Sequence, residues 1–86
     1  MMGGGILKYA NESLTSNAYN MIVFPDHRKV VEACLVVGTN FLPLFIYALD
    51  QNRDCSYKYM DSTTDTIKTV AANTTYTVRY RYFAYE

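Results

Sequence analysis

The chain has 86 residues, half of them apolar and 15% aromatic. That is enough for one modest core and too hydrophobic for a disordered tail. Eight basic and eight acidic residues cancel, so no electrostatic footprint points to nucleic acid or an anionic membrane, and neither is expected as a partner.

The opening MMGGGILKYA lacks the basic start and long apolar run of a signal peptide, and Met2 stands where a myristoylation signal needs glycine. Residues 6–10 read as a first short strand, and 11–17 as a polar turn. Residues 18–24 read as a second strand, ended by the turn at 25–28 that holds Pro25, Asp26 and His27, the single histidine. Asn11-Glu12-Ser13 and Asn73-Thr74-Thr75 match glycosylation sequons. With no secretory signal they are read as coincidences of an Asn/Thr-rich β-protein.

Residues 26–37 fit two periods. As a helix, His27, Val30, Val31, Cys34 and Leu35 share a face, with Pro25 and Asp26 suiting the first turn. As a strand over 29–37, Val31, Ala33, Leu35 and Val37 face inward and Glu32 outward. Four valines and near-continuous apolarity favour the strand. Gly38, Thr39 and Asn40 make the next turn, and 41–49 a further strand. The uncharged run from Ala33 to Leu49 is thus two adjacent strands, not a membrane span, because Gly38, Asn40 and Pro43 interrupt it.

Asp50, Asn52, Asp54 and Asp61 fall at positions one, three, five and twelve of a calcium-loop spacing. Oxygen ligands at alternate positions suit Ca²⁺, yet Cys55 occupies the sixth position, where such a loop turns on glycine. A polar loop tip is the expected outcome, and no metal or other cofactor is assigned. Residues 55–60 form another strand. On strand parity Cys34 points outward with Glu32, whereas Cys55 shares the face of Tyr57 and Tyr59. A disulfide between them is awkward, so two reduced thiols are expected.

The last segment has the clearest pattern. From Thr75 onward, Thr75, Thr77, Arg79, Arg81 and Phe83 alternate with Tyr76, Val78, Tyr80, Tyr82 and Ala84. This is the period of a half-buried strand with its arginines in water and its tyrosines packed. Residues 66–70 form a β-rich run before it, 71–74 a turn, and the two runs are expected to pair as an antiparallel hairpin. The spacing apolar-x-x-x-Thr-x-Tyr at Val70, Thr74 and Tyr76 resembles the tyrosine corner of fibronectin type III and immunoglobulin-like domains. The resemblance implies a small antiparallel β-sandwich whose tyrosine hydroxyl bonds back onto its own chain. It also implies an open edge beside the final strand, unless a neighbour or the N-terminal segment fills it.

The expected fold is therefore all-β, a small antiparallel sandwich (immunoglobulin-like or jelly-roll-like) of about seven short strands in one domain over 1–86, with an α+β form carrying a helix at 26–37 as the alternative. No catalytic constellation accompanies it, because His27 lacks a spaced nucleophile and orienting group. The expected function is structural: a non-enzymatic assembly protein such as a bacteriophage or virus capsid accessory or tail component, assembled in the host cytoplasm as a homo-oligomer or part of a larger particle. Its contact residues are expected at Arg79, Arg81, Phe83 and Tyr85. The alternative is a carbohydrate- or ligand-binding module using Tyr47, Tyr57 and Tyr59 as an aromatic platform.

Overall fold

A computed structural model describes residues 6–45 and 56–84. It contains six strands: β1 (Leu7–Thr15), β2 (Arg28–Val37), β3 (Asn40–Phe45), β4 (Lys58–Asp61), β5 (Thr66–Thr69) and β6 (Thr75–Ala84). All neighbours are antiparallel and all six belong to one sheet, in the order β1-β6-β2-β3-β4-β5. The all-β class holds, and no described residue is helical. Residues 28–37 take the strand form of the two that their sequence allows. A central strand between β6 and β3 packs β-branched side chains on both faces, which suits four valines better than a helix does.

The expected hairpin between 66–70 and 75–84 does not form. β5 pairs with β4 at one margin of the sheet, while β6 lies inside it between β1 and β2. The final strand has no open edge, because β1 supplies the second neighbour through nine register pairs from Leu7↔Phe83 to Thr15↔Thr75. That ladder also draws residues 11–15 into the strand although Asn11, Glu12 and Ser13 locally favour a turn. Tertiary pairing outweighs the weak local preference.

Residues 18–24 depart from expectation in the opposite sense. The Asn17 side chain accepts hydrogen bonds from the amides of Tyr19 (2.8 Å) and Met21 (3.1 Å). Asn20 adopts φ 62°, and only Ile22 makes a bridge, to Ser16. An Asx-type turn thus replaces a strand.

One face of the sheet is dry. Val78, Tyr80 and Tyr82 of β6, Leu35 of β2 and Leu42 and Leu44 of β3 are buried there, joined by Ile22, Tyr57 and Val70 from the connections. β2 meets this face on both sides of a bulge, with Val30 before it and Ala33 and Leu35 after it. Val30 opposes Tyr82 and Glu32 opposes Arg81, so Val31 is extra and stands 55% exposed instead of facing inward. Past the bulge, Ala33 and Leu35 point into the core as expected.

The sheet curls around this core. β5 and β6 are four strand spacings apart, about 19 Å in a flat sheet. Residues 70–74 join them, with a turn in which Asn73 takes φ 52°. Six residue steps from Thr69 to Thr75 reach about 20–22 Å fully extended, and the turn at Asn73 shortens that reach below the flat-sheet distance, so the margins bend toward each other. Hydrogen bonds at that end record the approach: the Tyr57 amide to the Asn20 carbonyl (2.9 Å), the Val70 amide to the Tyr57 carbonyl (2.9 Å) and the Asn20 side-chain amide to the Val70 carbonyl (2.8 Å). The Tyr76 hydroxyl accepts from the Ala71 amide at 2.9 Å, tying the start of β6 to the crossing chain.

Two local devices set the remaining registers. Gly38 at φ 62° occupies the first position of the two-residue loop between β2 and β3, where a type II′ turn requires positive φ. Pro43 in β3 opposes Cys34 of β2, and the β3–β4 ladder begins one residue later, at Leu44↔Tyr59. A proline cannot donate to that ladder, so pairing stops beside it.

Candidate interaction surface

The face of the sheet opposite the core carries the alternate residues of the same strands. Register alone assembles its centre. Tyr9 opposes Arg81, Cys34 opposes Arg79 on one side and Pro43 on the other, and Glu32 opposes Arg81. Phe41 stands at the β3 end of this row.

The Arg79 guanidinium lies 5.3 Å from the Phe41 ring centre and 5.9 Å from that of Tyr9. The Arg81 guanidinium lies 5.7 Å from Tyr9 and pairs with Glu32 at 3.2 Å. These distances suit cation–π attraction, which orders two long side chains that would otherwise be free. Tyr9 (64% exposed) and Phe41 (53%) rise as walls on either side, and the concavity between them has a volume of about 500 Å³. Cys34 forms part of its floor, its thiol directed at the Arg79 carbonyl at 3.7 Å. Burial pushes that thiol's pKa up against the pull of Arg79, so Cys34 stays protonated near neutral pH and is a poor nucleophile.

Of the residues expected at an interface, Arg79, Arg81 and Phe83 lie on this outer face, and Tyr85 lies outside the described residues. Val70, Thr74 and Tyr76 gather where the crossing chain meets β1, with Val70 fully buried and Thr74 bonded through its amide to Ser16. Of the calcium-spaced residues, Asp50, Asn52 and Asp54 lie outside the described residues. Asp61 caps the β4–β5 loop instead. Its carboxylate accepts from Lys68 (2.8 Å) and from the Thr63 amide (2.9 Å) and hydroxyl (2.6 Å). The Lys68 ammonium first, and the Thr63 donors next, hold this carboxyl well below the usual carboxylate range. Among the described residues no group of three His, Cys, Asp or Glu is placed to hold a metal ion, and no helix is long and apolar enough to cross a membrane. His27 is exposed in the turn before β2.

Of the aromatic platform expected at Tyr47, Tyr57 and Tyr59, Tyr57 does not stand on the surface. Tyr57 is a core residue, Tyr59 packs against the core, and Tyr47 lies outside the described residues. Tyr57 leaves the surface because its backbone bonds both Asn20 and Val70 inside the curl.

Sequence reasoning did not find Tyr9, Glu32 and Phe41 as companions of Arg79 and Arg81. Parity places each on its strand's outer face, but only the order β1-β6-β2-β3 makes them neighbours. A second missed group lies on the inner face. The buried Tyr80 hydroxyl donates to Glu12 (2.6 Å) and accepts from Arg28 (2.7 Å), whose guanidinium also covers the Tyr82 ring at 4.5 Å. Burial first, and the Glu12 hydrogen bond second, raise the Tyr80 pKa, so the phenol remains neutral. Phe24 packs edge-on against Tyr80 at 4.9 Å, closing the group from above. This cluster, in which Arg28 also pairs with Glu12 at 3.3 Å, locks β1, β2 and β6 together while the Glu12 side chain stays 38% exposed.

Among the described residues two backbone margins border the sheet, the outer edges of β1 and of β5. That of β1 is nine residues long and begins beside Ile6, which is 75% exposed. Comparison with protein-family models, curated proteins and solved structures returned no significant match.

Proposed function

We propose that the chain is a non-enzymatic subunit of a protein assembly, and that the outer face around Arg79 is one of its contact surfaces. The observation that carries this reading is the pair of exposed rings, Tyr9 and Phe41, holding Arg79 between them. Aromatic residues and arginine dominate the energetics of protein contacts, since they bury large area and lose little conformational freedom when already ordered. Their pre-positioning by cation–π contacts lowers the cost of docking. Arg81 is already neutralised by Glu32, which favours a protein surface over a polyanion as the occupant. A virus or phage particle is the setting we assign, as a capsid accessory or tail component, because zero net charge gives little repulsion among closely packed copies.

Light scattering on the purified chain from micromolar to millimolar concentration tests the reading. A mass that rises above the monomer and drops back in Phe41→Lys is expected. Phe41 is exposed, so the substitution spares the core. A monomer at every concentration would sink the homo-oligomeric form of the proposal, and a multimer indifferent to Phe41→Lys would remove this face from it.

The same cleft supports a second reading as a sugar site, with Tyr9 and Phe41 against an apolar sugar face and Glu32 and Arg81 bonding hydroxyls. Glycan-array binding that Phe41→Lys abolishes would select it.

A further inference from the structure

The assembly reading leaves the partner open, and the following inference rests on it. We infer that a second copy of this chain pairs with the free margin of β1, antiparallel about a two-fold axis at Ala10, and joins two six-stranded sheets into one.

β1 is built as a template for such pairing. Its ladder with β6 runs through nine consecutive register pairs with no bulge, so the opposite margin is straight. Natural sheets blunt exposed edges with proline, bulges or clustered charge. β1 has no proline and only two charged residues, Lys8 and Glu12, of opposite sign. The other margin, β5, offers only four residues.

The charges also select a register. A two-fold axis normal to the sheet keeps the same face inward in both copies, so inward residues must oppose inward residues. Lys8, Ala10, Glu12 and Leu14 share the parity that faces Tyr82, Tyr80, Val78 and Tyr76 of β6. With the axis at Ala10, Lys8 opposes Glu12 of the partner subunit, and symmetry repeats the pair. Ile6, exposed in the single chain, opposes Leu14 of the partner subunit.

No neighbouring register does this. An axis at Asn11 sets Lys8 against leucine and Glu12 against alanine. At Tyr9 it sets Ile6 against glutamate, and at Lys8 or Glu12 it opposes like charges. Opposite charges directly across strands stabilise pairing and like charges oppose it.

Two variants of the full chain test the inference beside light scattering. Lys8→Glu, an exposed substitution, sets like charges against each other twice, and is expected to raise the dimer dissociation constant about tenfold. Ala10→Cys, in a chain that also carries Cys34→Ser and Cys55→Ser, places two thiols across the axis. Opposed residues there have Cα atoms about 4.5–5.5 Å apart, within the range a disulfide spans. Mild oxidation is therefore expected to link it as a dimer, whereas Asn11→Cys in the same background links poorly. A multimer that ignores Lys8→Glu and fails to link through Ala10→Cys overturns the β1 pairing while leaving the assembly reading standing. Linking through Asn11→Cys alone overturns the register. A strict monomer overturns the β1 pairing together with the homo-oligomeric form of the assembly reading, and should Ala10→Cys not fold, the Lys8→Glu titration still decides.

Discussion

Ser16 shows how much a single hydroxyl can hold. It is 3% exposed, accepts from the Thr74 amide at 2.9 Å and donates to the Ala71 carbonyl, thereby joining the end of β1 to the chain that crosses from β5 to β6. Replacing it by alanine takes away the hydrogen-bond partner of the half-buried Thr74 amide and of the Ala71 carbonyl. Ser16→Ala is expected to cost about 1–3 kcal/mol, read as a lower urea midpoint at unchanged slope. Nothing in the sequence distinguishes Ser16 from Ser13, three residues earlier and exposed. The alternation of β6 was legible because each tyrosine and arginine declares its own face. The partners of Ser16 lie more than fifty residues away and were not legible.

At the scale of elements, pairing partners diverge from local pattern. The run 66–70 is β-rich and so is 75–84, and a four-residue polar link between such runs reads as a hairpin. The link instead crosses the curled sheet, because β4 is closer to hand for β5 through the Asp61-capped loop. Asp61 bonds Lys68, its neighbour across that hairpin. Its carboxyl titrates below its unfolded value of about 3.9, so its contribution is complete above that pH and declines as acid protonates it in the folded state. Wild type and Asp61→Asn should therefore differ in stability at neutral pH and converge as the pH falls below about 4. Urea denaturation across the acid range measures this, and a difference that grows toward acid would contradict the assigned role. The bulge at Val31 is the element-scale feature that parity missed. One extra residue cannot be seen in an apolar run where either face of the strand tolerates valine.

For the whole molecule, the small core sets the vulnerability. A domain of 86 residues is stable by roughly 4–13 kcal/mol at typical values per residue. Leu35, fully buried at the centre of the dry face, is worth about 2–5 kcal/mol when cut to alanine. Leu35→Ala should therefore lose a large share of the total stability, seen as a fall of many degrees in Tm by circular dichroism. The sequence by itself determined the class, the inward and outward faces of β6, and the outward thiol of Cys34, since period-2 alternation is a property of consecutive residues. It could not determine that the N-terminal segment would run alongside the last strand, or that the sheet would curl. Those depend on which strands meet across long loops, a choice made by burying one common face. Only that choice brings Tyr9, Arg79 and Phe41 together and leaves β1 at the margin.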